Sequence, residues 1–236
     1  FHEPIRRLQS RITTLIERGL AIRIIFTFSI LLVASAYLWF IRFDERDTSL
    51  SYNYYSELAR SFKQGKFHLT ETPSPALLAL SNPYNYALRK QAGVEDFPWD
   101  ASLYDGKFYI YWGPSPSLFL LFFNDETLTR IEDHHLALVF AFGLFIYSAL
   151  IVTTFWQKLK NTPVWVYATS LLVLGFSIPV TTMLSGANVY ETAIFACQFF
   201  FIGGCYWAYS TLNDESPVLW KFALAGIHWS FAIGSR

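Results

Sequence analysis

Long apolar runs without charged side chains constrain this chain more than any other feature of its sequence. Residues 24–41, IIFTFSILLVASAYLWFI, carry no charge and are flanked by Arg23 and Arg42. Roughly 18 or more consecutive apolar residues match the length of helix that crosses the hydrocarbon core of a bilayer. Further apolar runs extend from Leu136 to Trp156, Val164 to Leu184, Val189 to Tyr209 and Leu219 to Gly234. The sequence therefore predicts an all-α, multi-pass transmembrane protein with about five spans.

The composition supports a membrane location and argues against one class of partner. The chain is 53% hydrophobic and only 15% charged, whereas a typical soluble domain has roughly 25% charged residues. Its formal net charge is zero, so it lacks the basic field that attracts nucleic acid. We expect membrane lipid, and no nucleic acid, among its partners.

The positions of arginine and lysine predict an orientation. Five arginines precede the first span, and Lys158 and Lys160 lie in the short QKLKN link. By the positive-inside rule both segments are cytoplasmic. We therefore predict a basic amphipathic cytoplasmic arm over residues 1–23, a first span over 24–41, an external loop with interfacial helices over 42–135, and the other spans with short loops over 136–236. The membrane is expected to be the plasma (inner) membrane.

The two ends of the sequence point to a longer protein. The chain begins at Phe1 rather than Met, and it stops just as an apolar run finishes. We expect it to be the amino-terminal part of a larger protein.

Within the external loop, three local patterns predict structure. In residues 50–65, LSYNYYSELARSFKQG, apolar side chains recur every four positions and a glycine follows, which indicates an amphipathic helix. Asp105 and Gly106 predict a tight turn, and KFYIYW after them predicts a short extended strand. SLFLLFF, residues 117–123, is too short to cross a bilayer, so it must turn back on the side from which it entered.

An acidic cluster follows the first span and is one candidate for chemistry. Asp44, Glu45 and Asp47 lie between Arg42 and Arg46 in RFDERD. Partial desolvation where a helix leaves the bilayer raises the pKa of a carboxyl group, whereas a neighbouring arginine lowers it. The cluster is either a tuned catalytic base or a solvated group of charges at the end of a helix.

Glu191 is a second candidate, about one turn inside an otherwise uncharged run. An ionisable residue at such a position is costly and indicates a functional site, although a carboxylate that caps the helix start explains it equally well. His134 and His135 are interpreted as an interfacial pair, and Cys197 and Cys205 as packing residues. Since no CxxC or HExxH spacing occurs, no metal site is predicted. No cofactor is required, and a divalent metal would be compatible but unsupported.

Four motifs in order resemble one family of membrane enzymes. These are FDE at 43–45, NYYSELARSFKQGK at 53–66, DGKFYIYWGPSPSL at 105–118 and VYE at 189–191. Together they resemble the GT-C glycosyltransferases, and most closely the polyprenyl-phosphate-sugar-dependent group related to protein mannosyltransferases and lipid A aminoarabinose transferases. The resemblance covers most of residues 24–236, and the order of the motifs is more specific than any one motif.

The resemblance implies a multi-pass enzyme of the cell envelope with its active site on the outer face. Such an enzyme takes a sugar from a polyprenyl-phosphate carrier and passes it, with inversion, to an acceptor lipid, glycan or protein. The family's acidic residue near the acceptor hydroxyl corresponds to Asp44 or Glu45. Because ERDTSLSY separates this pair from the aromatic helix, unlike the usual family pattern, Asp47 is an alternative.

The remaining substrate contacts follow from the chemistry of the transfer. A carboxylate must take the acceptor proton, while the departing phosphate is already charged and needs cations. The aromatic side chains of Tyr109, Tyr111 and Trp112 can stack on sugar faces, or can serve only as interfacial anchors. The external cations that could bind phosphate are Arg42, Arg46, Lys107 and Arg130.

Two non-catalytic functions compete with the enzyme. A lipid or solute transporter tends to show repeated halves and spans broken near mid-membrane, but no repeat is evident and Pro179 lies toward the outer end of its span. An assembly subunit would explain a small protein, if these 236 residues are all of it.

Overall fold

The computed structural model describes residues 2–43, 53–94, 97–98, 100–159, 162–214, 216 and 218–236, with the backbone alone for residues 2–16, 43 and 178. Helices dominate this part of the chain. They are α1 (His2–Phe43), α2 (Tyr54–Lys63), α3 (Pro75–Leu78), α4 (Tyr86–Gln91), α5 (Ser115–Leu120), α6 (Asp125–Leu128), α7 (Asp133–Lys158), α8 (Val164–Gly175), α9 (Ile178–Ser185), α10 (Val189–Leu212) and α11 (Leu219–Ile233). Two short strands, β1 (Ala101–Tyr104) and β2 (Lys107–Ile110), form an antiparallel hairpin.

Four helical segments are long and apolar enough to cross a membrane. They are Glu17–Arg42, Asp133–Lys158, Val164–Ser185 and Val189–Leu212. The predicted class, a multi-pass helical membrane protein, is confirmed. The predicted fifth span corresponds to α11, which has 15 residues and packs along α10.

The predicted arm and the first span form one helix. The backbone of α1 runs without interruption over 42 residues, so the arm continues the transmembrane helix. The third span is instead divided into α8 and α9. Pro179 in the first turn of α9 has no backbone N–H for the helical ladder, and such a residue breaks or kinks a helix.

Small residues allow the transmembrane helices to approach closely. A Cβ atom placed on Gly175 would lie 2.3 Å from Val33 Cγ2, and one placed on Gly203 would lie 2.5 Å from His228 Cδ2. Glycine at such contacts permits the tight van der Waals packing that holds helices together in lipid. Gly175 thus joins α8 to α1, and Gly203 joins α10 to α11.

Polar contacts define one end of the helix bundle. The Arg18 guanidinium donates a hydrogen bond to the Leu159 carbonyl at 2.8 Å, and Lys158 donates to the side chain of Asn213. Arg18 therefore lies level with the end of α7 and the end of α10. Arg18 of the basic segment and Lys158 of the QKLKN link are thus at the same end of the bundle, as the predicted topology requires.

The elements between α1 and α7 gather at the opposite end, where α7 and α10 begin. The hairpin turns at Asp105 and Gly106, both with positive φ (48° and 67°), which is the geometry expected of a tight two-residue turn. The predicted turn and strand are confirmed. The following loop approaches the end of α11 closely, because the Ser115 N–H donates to the Gly234 carbonyl at 2.9 Å.

The apolar run SLFLLFF does not cross the membrane. Its first residues form part of α5, which packs against α2 and α10. After α5 the chain returns to α2, where Lys63 donates to the Phe123 carbonyl and pairs with Asp125. Phe122 is left 94% exposed, as expected for a side chain at a lipid surface.

Candidate functional site

The predicted acidic cluster cannot be placed. Asp44, Glu45, Arg46 and Asp47 lie outside the described residues. Arg42, which precedes them, is exposed in the last turn of α1. Since α1 and α7 run in opposite directions, this turn lies at the end of the bundle where α7 begins.

Three aromatic side chains meet at that end of the bundle. β2 leads directly into Tyr111 and Trp112, and Tyr190 lies in the first turn of α10. The hydroxyl oxygens of Tyr111 and Tyr190 are 3.2 Å apart, within hydrogen-bonding distance. The Trp112 ring centroid lies 4.1 Å from that of Tyr190 and 4.7 Å from that of Tyr111. We call Tyr111, Trp112 and Tyr190 the aromatic corner.

Asp100 adds a carboxyl group to the aromatic corner. It precedes β1 in the left-handed region (φ 61°), which aspartate tolerates better than most residues. The hydrogen bond with Tyr190, partial burial, and the charge and hydrogen bond of Asp100 together raise the pKa of the Tyr111 hydroxyl. Asp100 therefore faces Tyr111.

Two buried polar atoms at this site lack partners. Asp100 Oδ2 and Trp112 Nε1 are both inaccessible to solvent, and neither forms a hydrogen bond with any described residue. Buried polar groups are nearly always hydrogen-bonded in native proteins, so each exception needs an explanation. Both atoms are closed off by the surrounding side chains, so the corner contains an unpaired acceptor and an unpaired donor that solvent does not reach.

Asp100 was not among the candidates from the sequence. It follows a proline and a tryptophan in a stretch that reads as a turn, and aspartate is common in turns for purely local reasons. Its importance depends on its burial beside Tyr111, and no local pattern indicates that burial.

The other predicted substrate residues make contacts elsewhere. Lys107 is exposed at the start of β2. The Tyr109 ring packs edge-on to His68, with centroids 6.1 Å apart. Arg130 forms an exposed ion pair with Glu126 at 2.7 Å. The structure brings Tyr111 and Trp112 into the aromatic corner and leaves these three outside it.

Glu191 lies next to the aromatic corner and makes a capping contact. Its carboxylate accepts the backbone N–H of Asn188 at 2.9 Å, and the Asn188 side chain accepts the N–H of Glu191 in return. This reciprocal pair is a capping box. The capping interpretation therefore has direct support, and a role of Glu191 in transfer stays a prediction.

A buried carboxyl group connects α2 to the transmembrane bundle. Asp133, in the first turn of α7, is only 4% exposed. Its carboxyl oxygens accept the backbone N–H groups of Tyr54 at 3.2 Å and Tyr55 at 3.1 Å. The Thr192 hydroxyl donates to the Asp133 carbonyl at 2.8 Å. Asp133 thus caps α2 from α7 and is itself held by α10.

Tyr55 is buried in the same contact between α2 and α7, which we call the joint at Asp133. The Tyr55 side chain is fully buried, and burial, together with the nearby Asp133, raises the pKa of its hydroxyl. The first turn of the NYYSELARSFKQGK segment is therefore anchored to the bundle, at the end where the aromatic corner lies.

The histidine pair contributes to helix capping. The His134 and His135 rings are 4.1 Å apart, and His135 Nδ1 accepts the backbone N–H of Glu132. Glu132 also lies 3.1 Å from His134. Within the described ranges, no group of three or more histidine, cysteine or acidic side chains could hold a metal ion.

An open apolar groove lies between α2 and α5. It has a volume of about 300 Å³. Lys66 supplies the one charged side chain among the described residues that line it. The lining residues are Phe62, Gly65, Lys66, Phe67, Pro114 and Leu118.

Comparisons with protein-family models, with curated proteins and with solved structures found no match. What the site can do therefore follows from its own residues. The aromatic corner offers the exposed ring surfaces of Tyr111 and Tyr190, which can contact the apolar face of a small molecule.

Proposed function

We propose that the protein is an integral-membrane glycosyltransferase of the GT-C type. In this proposal it moves a sugar from a polyprenyl-phosphate carrier to an acceptor on the outer face of the plasma membrane, and its amino terminus is cytoplasmic. The observation that carries the proposal is the aromatic corner beside Asp100, at the end of the bundle where α1 finishes. Aromatic faces combined with a few fixed polar atoms are suited to binding a sugar at the membrane surface.

The groove between α2 and α5 supports a lipid-linked donor. Phe62, Phe67 and Leu118 provide apolar walls, and Lys66 also lines the groove. An isoprenoid chain fits such a groove because both are apolar, and a cation near the entrance attracts its phosphate. The exposed Phe122, four residues after Leu118, is compatible with contact with lipid.

The transfer itself needs one carboxylate as a base. In the proposed step, that carboxylate removes the proton of the acceptor hydroxyl as the oxygen attacks C1 of the sugar. The bond between C1 and the phosphate oxygen breaks, and polyprenyl phosphate leaves with its negative charge. Asp44 is the first choice for the base, Asp47 is the alternative set by the changed spacing, and Glu45 is the remaining member of the cluster.

Substitution of the base tests the proposal. The full-length protein in membranes is incubated with a panel of polyprenyl-phosphate sugars, and transfer is measured for the wild type, Asp44→Asn and Asp47→Asn. Loss of a general base lowers turnover by roughly 10² to 10⁴, and donor binding changes little. Glu126→Gln is the matched control, because Glu126 is an exposed acidic residue in an ion pair.

The outcomes separate the hypotheses. Loss of transfer only in Asp47→Asn would mean that the acidic cluster is catalytic and that Asp47, rather than Asp44, is the base. If no panel sugar is transferred by a correctly inserted wild-type protein, or if both variants keep activity within a few-fold of wild type, the catalytic proposal is refuted. A non-catalytic transporter or assembly subunit then becomes the better hypothesis.

A further inference from the structure

Three polar side chains from three helices meet inside the transmembrane bundle. Tyr147 lies near the middle of α7, Trp207 lies on α10 and His228 lies on α11. The Tyr147 hydroxyl oxygen is 3.0 Å from His228 Nε2, and Trp207 Nε1 donates to the same oxygen at 3.2 Å. Polar and ionisable groups are costly inside a membrane, so a cluster of them indicates a defined role. We call Tyr147, Trp207 and His228 the polar clamp.

The direction of each hydrogen bond in the polar clamp follows from its partners. His228 Nδ1 lies 2.9 Å from the Leu224 carbonyl, and a carbonyl can only accept, so Nδ1 carries a proton. The Tyr147 oxygen accepts from Trp207, and its other partner among the described residues is His228 Nε2. The hydroxyl therefore donates to Nε2, which fixes His228 in the Nδ1–H tautomer. Every donor of the clamp then has an acceptor.

Two glycines of α10 fix the register of α11 at the polar clamp. A Cβ atom on Gly203 would lie 2.5 Å from His228 Cδ2, and one on Gly204 would lie 2.4 Å from Trp229 Nε1. Both rings therefore pack where α10 has no side chain. A slip of α11 by one residue would move it about 1.5 Å along its axis and turn it by about 100°. That slip would break the hydrogen bond with Tyr147 and drive the rings against side chains.

The carboxyl-terminal end of α11 contacts the loop that joins β2 to α5. The Ser115 N–H donates to the Gly234 carbonyl at 2.9 Å. A Cβ atom on Gly113 would lie 2.2 Å from the same carbonyl oxygen, so the two backbones are in direct contact. The loop begins at Tyr111 and Trp112 of the aromatic corner and leads into α5, which lines the open groove. Both parts of the candidate site thus adjoin the end of α11.

The polar clamp and the loop contact are close together on one rigid element. His228 and Gly234 are separated by less than two turns of helix, which is about 9 Å along the axis. A helix of that length does not stretch, so a change of register at His228 moves the Gly234 carbonyl by the same amount. The Ser115 N–H would then lose its acceptor.

We propose that the polar clamp is a positioning device for the candidate site. By fixing the register of α11, Tyr147 and His228 hold the Gly234 carbonyl against the loop at residues 113–115. The clamp residues are positioning residues, because they act through α11 and not on a ligand. The clamp holds this loop whether or not the protein transfers a sugar, so the proposal goes beyond the proposed function and does not rest on it.

Nitrogen-15 NMR of the histidine-labelled full chain in lipid nanodiscs tests the assigned protons. The His228 signals are identified by their loss in His228→Gln. We expect a protonated Nδ1 and an unprotonated Nε2 in the wild type, and a shifted Nε2 resonance in Tyr147→Phe, which lacks the donor. A wild-type His228 with its proton on Nε2 would overturn the clamp.

Hydrogen exchange in the same nanodiscs tests the coupling to the loop. Tyr147→Phe keeps the ring but leaves Trp207 Nε1 and His228 Nε2 unpaired. We expect peptides over residues 113–120 to exchange about three to ten times faster, the range for loss of hydrogen bonds between helices in a membrane. Peptides over α4 should be unchanged. Tyr206→Phe is the matched control, because the Tyr206 ring packs on Tyr147 and Trp207 but lies outside the three hydrogen bonds.

Two further variants show whether the acceptor at position 228 is what matters. The Gln side chain in His228→Gln can place an acceptor near the position of Nε2, so exchange over residues 113–120 should stay within about twofold of wild type. His228→Phe keeps a ring without an acceptor and should match Tyr147→Phe. In Gly113→Ala, where the loop contact is already disrupted, Tyr147→Phe should add little, as expected for two sites that act on one contact.

Two exchange results would also refute the proposal. A rise over residues 113–120 that is no larger in Tyr147→Phe than in Tyr206→Phe would show that the polar clamp does not act on the loop. Equal acceleration in α7, α10 and the loop would show that the clamp stabilises the whole bundle instead of positioning one segment. Failure of sugar transfer changes none of these readouts, so the proposed function and the clamp stand or fall separately.

Discussion

Replacement of Asp133 by asparagine should release α2 from the transmembrane bundle. Asp133 is buried, and its two carboxyl oxygens accept the N–H groups of Tyr54 and Tyr55 in the first turn of α2. Asparagine has nearly the same shape. It keeps one acceptor oxygen but places an NH₂ group, which is a donor, against the second backbone N–H. One hydrogen bond is thus lost, the other becomes neutral, and a buried N–H is left unpaired.

The expected size of the effect follows from these contacts. A hydrogen bond contributes about 0.5–1.5 kcal/mol net, or about 1.5–3 kcal/mol when the acceptor is ionised, and an unsatisfied buried donor costs about 1–3 kcal/mol. Because the terms overlap, we expect the free energy that holds α2 in place to fall by about 2–3 kcal/mol. At about 1.4 kcal/mol for each factor of ten, local opening of α2 becomes about 30 to 150 times more frequent.

Hydrogen exchange measured by mass spectrometry reports this opening directly. Peptides that cover residues 53–63 should exchange about 30 to 150 times faster in Asp133→Asn than in the wild type, both in nanodiscs. Peptides from the middle of α10 should be unchanged, because their helical hydrogen bonds do not involve Asp133. Glu126→Gln is the matched control, since its exposed ion pair with Arg130 contributes no more than about 1 kcal/mol.

One result would refute the reasoning. If exchange in residues 53–63 accelerates no more in Asp133→Asn than in Glu126→Gln, the carboxyl group does not hold α2. Equal acceleration across all helices would show that Asp133 stabilises the whole bundle rather than the joint to α2.

Two further predictions concern helix packing and topology. Gly203→Ala should lower the unfolding free energy by about 1–3 kcal/mol, because the new Cβ would lie 2.5 Å from His228 Cδ2. Thermal unfolding is measured through the reaction of Cys197 and Cys205 with a thiol dye as they become exposed. Gly226→Ala, where a Cβ meets nothing within 4 Å, is its control, and an equal loss in both variants would contradict the packing explanation. In a cysteine-free background, a cysteine at the exposed Gln91 should react with a membrane-impermeant reagent on intact cells and one at Lys158 should not; the reverse pattern would invert the predicted orientation.

The parts of the structure that depend on local sequence were predictable. A charge-free run of sufficient length must be helical in lipid, since no water is present to satisfy the backbone, and four such helices are present. The turn at Asp105 and Gly106 is equally local, because aspartate and glycine tolerate positive φ and their residue types alone therefore predict it. The capping contact of Glu191 was also predictable, because its partner, Asn188, is only three residues away.

The joint at Asp133 and the aromatic corner were decided by the tertiary structure alone. Tyr54 and Asp133 are 79 residues apart, and so are Tyr111 and Tyr190. Their contacts exist because the first turns of α7 and α10 lie side by side, held there by helix packing over their whole length. Asp100 shows the same dependence, since an aspartate in a turn is ordinary until a neighbouring segment buries its oxygen. Periodicity and spacing describe how a segment folds on itself, whereas a binding site requires distant segments to meet, and only the packing of the bundle determines where they do.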